Sequence, residues 1–270
     1  MRVITLTTDF GAASLYVAQL HASILSAIAA ETNVAPRIVD ITHAVPPQDI
    51  RQGAIAIGEC CPLFPLGSIH VGVVDPGVGS DRAIVACRCD GHFYVAPDNG
   101  LLSRVASPRP ADFAAVEVTD SRFWRAEVSS TFHGRDMMAP VAAHLARGVE
   151  LAEFGPASAS LQLLDLPSAL STSDEIRGQV ERVDSFGNLI TNIGMADLRG
   201  DRDWAVACAT ELIRGISRTY SDGEGGDLIA LAGSGGRLEI AVVGGNAAVR
   251  TGVGVGESVK LCKVEAVEGN

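Results

Sequence analysis

Apolar positions along the chain fall into two textures. In the first, short apolar runs alternate with longer stretches of helical period. Val3 to Thr7 has the composition of a buried strand, and Leu15 to Ala29 carries Leu15, Ala18, Ile24 and Ile28 at the spacing of a helix face. Arg37 to Ile41 is strand-like, Ile50 to Cys60 helix-like, and Ser68 to Val74 strand-like. Ala83 to Cys89 and His92 to Ala96 flank Asp90-Gly91, a two-residue hairpin signal. Met137 to Arg147 predicts a helix that ends at Gly148. Alternation of this kind predicts a layered α/β domain with a largely parallel sheet.

The second texture begins after Leu161 to Asp174, a stretch of Leu, Ser, Pro and Thr that reads as a linker. Beyond it, Gly-rich turns separate short β-like runs: Gly178 to Val183, Leu189 to Ile193, Leu228 to Ala232, Leu238 to Val243 and Ser258 to Val264. This predicts a smaller, mostly β domain, a barrel or sandwich. The expected domains are therefore residues 1–164 and 175–270.

Composition narrows the function. The 270 residues are 47% hydrophobic and 20% charged, enough for a sizeable core. The net charge of -11 argues against a nucleic-acid partner and suits a cationic small molecule. No apolar stretch reaches about 18 residues, so no membrane span or membrane partner is expected. The N-terminus turns polar too soon for a signal peptide. Six cysteines, none in C-x-x-C spacing, read as small buried residues of a reducing cytosol. Cys87 and Cys89, two apart on a strand, share one face. A cytoplasmic location is expected and a metal site is not.

Two segments carry chemistry. Val73-Val74-Asp75-Pro76-Gly77-Val78-Gly79-Ser80-Asp81-Arg82 puts a carboxylate at a strand's carboxyl end, then a tight turn, then a guanidinium. Thr131-Phe132-His133-Gly134-Arg135-Asp136 puts an imidazole before an apolar helix. An Asp, an Arg and a His on tight loops are the parts needed to hold and polarise a water. Asp75 and Arg82 alone suit an ion pair bracing a turn equally well, and His133 alone a partly buried structural histidine. Asp9, after the first strand, suits a turn or a ribose diol. No phosphate-cradling G-x-x-x-x-G-K is present, nor a dinucleotide fingerprint at a strand-to-helix turn.

Together these segments resemble the S-adenosyl-L-methionine (SAM) hydroxide adenosyltransferases, relatives of the fluorinase and chlorinase enzymes. The resemblance runs from Thr7-Thr8-Asp9-Phe10-Gly11 to Gly244-Gly245-Asn246-Ala247-Ala248, nearly the whole chain. It implies an N-terminal α/β domain and a C-terminal β-barrel-like domain. It implies hydrolysis of SAM to adenosine and L-methionine, with no cofactor beyond the substrate and no metal. Asp75, Arg82 and His133 match the water-using branch, and halide-using relatives lack this set. Which of Asp75 and His133 takes the proton stays open.

By the same resemblance Asp9 binds the ribose, and Gln48, Phe132 and Gly134 lie beside the substrate. Asp184 is matched to the methionine ammonium, Phe186 to the nucleoside and Asn188 to the adenine edge. Ser234, in Gly233-Ser234-Gly235-Gly236, is matched to the methionine carboxylate, and Asn246 and Ala247 to adenine. Ser14 stands where relatives usually carry Asp, and Ala18-Gln19-Leu20-His21-Ala22 where they carry Gly-Gln-x-Lys-Gly. The family plan implies a homotrimer with each site between the α/β domain of one chain and the β domain of its neighbour. A halide-using transferase and a non-catalytic SAM or adenosine sensor are the alternatives. Arg135 and Asp136 are expected to serve the start of the following helix, and the other histidines to be structural or solvated.

Overall fold

The computed structural model describes residues 2–29, 36–198 and 204–263. They divide into two compact units, Met1–Leu166 and Pro167–Asn270.

The first unit runs β1 (Val3–Thr8), α1 (Leu15–Ala29), β2 (Arg37–Thr42), α2 (Ile50–Cys60), β3 (Ile69–Val73), β4 (Ile84–Cys89), β5 (His92–Pro97), α3 (Ser103–Ala106), β6 (Ala114–Glu117) and α4 (Ala139–Arg147). The sheet order is β2-β1-β3-β5-β4-β6. Strands β2, β1, β3 and β5 are parallel, and β4 pairs antiparallel with both its neighbours. Alternation on the strands feeds two cores. Ile4 and Leu6 pack with Leu20 and Ile24 of α1 and with Val141 and Leu145 of α4. Val85, Cys87 and Cys89 face the other way, toward Ile57 of α2 and Leu101. Each fully buried Ile or Leu stabilises this layering by roughly 1.5–3 kcal/mol.

β2 lies on one side of β1 and β3 on the other, so the sheet grows in opposite directions from β1. The crevice at the carboxyl ends of such a strand pair is where open α/β sheets bind ligands. Thr8 is in register with Val73, so Asp9 and Asp75 both emerge at this crevice.

The second unit runs β7 (Leu170–Ser171), β8 (Glu175–Val183), β9 (Leu189–Gly194), β10 (Trp204–Cys208), β11 (Glu211–Arg214), β12 (Leu228–Ala232), β13 (Arg237–Val242), α5 (Ala247–Thr251) and β14 (Ser258–Lys263). Its order is β11-β10-β14-β8-β9-β13-β12, with β7 added to β8 and every pairing antiparallel. A bridge from Ser217 to Leu231 joins the chain after β11 to β12, which nearly closes a barrel. Ile176, Val180, Leu189, Leu238 and Leu261 fill it.

Several elements escape the hydrophobic pattern. In β10 the outward positions are Ala205 and Ala207, so polar alternation is missing. β6 and β11 have only 4 residues each. The strand expected to reach Val264 is described to Lys263, and Val264 lies outside the described residues. The helix expected from Met137 is a π-helical turn, Gly134–Met138, followed by α4. Pro140 has no N–H to give the Asp136 carbonyl. That carbonyl instead accepts the Arg125 N–H at 2.9 Å.

Candidate active site

The crevice at the ends of β1 and β3 holds a cleft of about 270 Å³, lined among others by Asp9, Gln48, Asp75, Phe132, His133 and Gly134. Asp75 follows β3 and opens a tight turn, with Val78 N donating to its carbonyl at 3.2 Å. Arg82, seven residues on, folds back over it: Nε donates to Oδ1 at 2.8 Å and to Oδ2 at 3.0 Å, and Nη2 also donates to Oδ2. Only 5% of the Asp75 side chain and 9% of the Arg82 side chain are exposed. The pair is therefore held in a poorly screened environment, where one member without the other is costly.

Arg82 Nη2 also lies 3.0 Å from His133 Nδ1. A guanidinium has donors only, so Nδ1 accepts and the imidazole proton sits on Nε2. Burial and the Arg82 charge both push the His133 pKa below its ordinary value, against the opposing pull of Asp75 and Asp136. His133 is thus a neutral imidazole with its Nδ1 lone pair occupied.

Two loops must meet for this contact. Gly79 has φ +80°, and a Cβ there would stand 2.4 Å from the Ser130 carbonyl oxygen. Only glycine allows that conformation and that approach at once. On the other loop, Asp136 is fully buried, accepts from Ser129 N at 2.9 Å, and is bridged by Arg135 Nε at 2.6 Å and Nη2 at 2.8 Å. Arg135 also donates to Gln19 at 2.9 Å. Asp136 thus fastens the loop that presents His133, a larger part than the helix-end role expected of it. Gly134 packs against Val73, and Phe132 meets Phe10 and Tyr16 edge-on at 5.5 and 5.2 Å.

Sequence reasoning missed Asn99. Its Nδ2 donates to the Val74 carbonyl at 2.9 Å while its Oδ1 accepts from Leu101 N at 3.1 Å. It pins the backbone next to Asp75. The Asn99-Gly100 pair, one residue past β5, is the signal in the sequence.

Ser14 lines a surface groove with His21 and Asp40, and its Oγ accepts from Tyr16 N at 3.2 Å. His21 Nε2 and Asp40 Oδ1 are 2.8 Å apart. His70 is buried against Thr5 and His92, and burial drives its pKa down to about 3.

In the second unit, Asp184 accepts from Phe186 N and Asn188 N at 2.9 Å and from Asn188 Nδ2 at 3.0 Å. This closes an Asx-type turn between β8 and β9. Phe186 stands exposed on it, whereas Asn188 is buried. Gly187, at φ +86°, leaves room for the Asn246 side chain, which would lie 2.1 Å from any Cβ there. Asn246 Oδ1 caps α5 by accepting from Val249 N at 2.8 Å, and Ala247 is buried behind it. Asp184, Phe186, Asn188, Asn246 and Ala247 thus form neighbouring loops. Ser234 sits on the exposed turn between β12 and β13.

A layered α/β unit with an Asp–Arg–His set at its switch point, followed by an antiparallel barrel unit, defines a narrow class. Residues 4–155 match the SAM hydroxide adenosyltransferase N-terminal domain, and residues 178–260 match its C-terminal domain. The chain belongs to the SAM hydroxide adenosyltransferase family. It is 38% identical over 267 residues to a protein of Salinispora tropica named (R)-S-adenosyl-L-methionine hydrolase, covering 96% of this chain and 97% of that one. A fluorinase of an Actinoplanes species is 30% identical over 224 residues, 73% of each chain. Among solved structures, an uncharacterized conserved protein from Thermotoga maritima superposes with a TM-score of 0.88 at 32% identity, covering 97% of this chain and 100% of that one.

Proposed function

We propose that this protein hydrolyses SAM to adenosine and L-methionine. The observation that carries the reading is the ion-paired Asp75–Arg82 with His133 at the cleft. A water oxygen attacks C5′ of the nucleoside in line with the C5′–S bond. That bond breaks, and its electron pair stays on sulfur as the neutral thioether of methionine. A sulfonium leaves without acid assistance, so the catalytic demand falls on the nucleophile. Aiming the water supplies roughly 7–11 kcal/mol in favourable cases. A general base adds about 10²–10⁴-fold.

The tautomer assigns the roles. Arg82 stays protonated and cannot serve as base. His133 has Nδ1 occupied and Nε2 protonated, so its N–H orients the water. Asp75 keeps carboxylate lone pairs beyond those used by Arg82 and receives the water's proton. Asp9 accepts the ribose hydroxyls. Asp184 meets the methionine ammonium, Phe186 and Asn188 with the Asn246–Ala247 loop read the nucleoside, and the Ser234 turn takes the methionine carboxylate. The names of the relatives point to the (R) epimer at sulfur as substrate.

Because these residues divide between the two units, the proposal includes a homotrimer whose sites join one chain's first unit to its neighbour's second. Six free cysteines fit action in the cytoplasm. Incubation with each SAM epimer tests the reaction: adenosine and methionine are expected from the (R) epimer, and methylthioadenosine as sole product contradicts it. Co-expressed Asp75→Ala and Asp184→Ala chains test the assembly. Mixed trimers should regain a fraction of activity that neither variant has alone, and mixed trimers without activity refute shared sites.

A further inference from the structure

Three described residues other than glycine have positive φ: Asp90, Ala209 and Gln48. Asp90 and Ala209 lie in tight two-residue connections, β4 to β5 and β10 to β11, where that conformation is ordinary. Gln48, at φ 65°, is in no hairpin. It sits in the loop before α2, between Pro47 and the helix-capping Asp49, on the wall of the cleft. Its side chain is exposed. Its backbone N–H donates to Asp9 Oδ2 at 2.8 Å.

We infer that Gln48 is a positioning residue that acts through its backbone: the left-handed turn at Gln48 aims its N–H at Asp9 and fixes that carboxylate for the ribose diol. The inference rests on the assignment of Asp9 to the ribose. A residue with a Cβ adopts this conformation at a cost, and such a cost persists where the surroundings hold it. Here the holding groups are the Asp49 cap, which accepts from Gln52 N at 3.0 Å, and the Asp9 carboxylate itself. With Oδ2 engaged by the N–H, Oδ1 is turned free for a ligand's hydroxyl donors.

Three variants without the side-chain amide separate backbone from side chain: Gln48→Gly, Gln48→Ala and Gln48→Val. They differ in the cost of the left-handed turn, least for Gly and greatest for the β-branched Val. KM for SAM should rise in that order, with Val about tenfold above Gly and kcat within about threefold across the series, the scale of the left-handed penalty. In an Asp9→Ala background the three should coincide within about twofold, because the N–H has lost its acceptor. Equal KM for Gly and Val overturns the inference, as does an order that survives without Asp9. If the Val variant fails to fold, the Gly–Ala pair makes the same comparison at about fivefold. Adenosine affinity by calorimetry separates the two claims. If the wild type binds adenosine without hydrolysing SAM, the hydrolase reading fails, and the order of the three affinities still decides the role of Gln48.

Discussion

The candidate site residues of the two units commit their polar side chains in opposite ways. In the first, polar groups from separate loops meet: Arg82 reaches Asp75 seven residues back and His133 fifty-one residues on. In the second, Asp184 spends its hydrogen bonds within four residues, and Asn246 caps its own helix. Groups held across loops depend on the whole fold and are preorganised for chemistry. Groups held within one turn make a rigid local surface, suited to recognising a shape. The candidate residues thus separate into a constellation held across loops and a set of self-supporting turns.

The largest expected effect breaks the first side of this contrast. Arg82→Ala, Asp75→Asn and His133→Ala should each lower kcat by about 10²-fold or more, while adenosine affinity stays close to wild type. Near-normal turnover in all three would reduce the set to a brace for the turn. Asp9→Ala should instead act on binding, raising KM about tenfold or more with a small change in kcat, as expected for loss of hydrogen bonds from a charged group. A fall in kcat with unchanged KM contradicts that division.

The second side of the contrast is tested by stability. Asp184→Ala removes the acceptor of three local hydrogen bonds and should cost about 1–2 kcal/mol in denaturant unfolding, beyond any loss of activity. An unchanged unfolding midpoint would mean that the turn does not support itself. The smallest effect sharpens the account of His133. With its pKa held below the ordinary 6.5 by burial and by Arg82, the imidazole stays neutral as pH falls through that value. The acid limb of kcat should therefore lie below pH 6.5, and activity should fade only as protonation of Nδ1 sets His133 against Arg82. A limb at or above 6.5 would place a proton on Nδ1 in the working enzyme.

Much of this architecture is legible in the sequence. The hairpin at Asp90-Gly91 and the α2 helix from Ile50 to Cys60 are written in apolar spacing and turn residues. The identities of Asp75, Arg82 and His133 were visible as motifs. What was not legible depends on distance in space or on backbone angle. Nothing in the spacing of Arg82 and His133 says which imidazole nitrogen faces the guanidinium. The left-handed turn at Gln48 is invisible because glutamine is not a residue that signals it. β10 was missed because alanine on its outward face carries neither apolar nor polar signal.

The central claim is that Asp75, Arg82 and His133 deliver a water to C5′. Its most direct test is reaction of SAM in ¹⁸O-water with mass analysis of the nucleoside. The account predicts adenosine carrying one solvent oxygen at its 5′ position. Unlabelled adenosine, or a 5′-halo-nucleoside when chloride or fluoride is present, would contradict it.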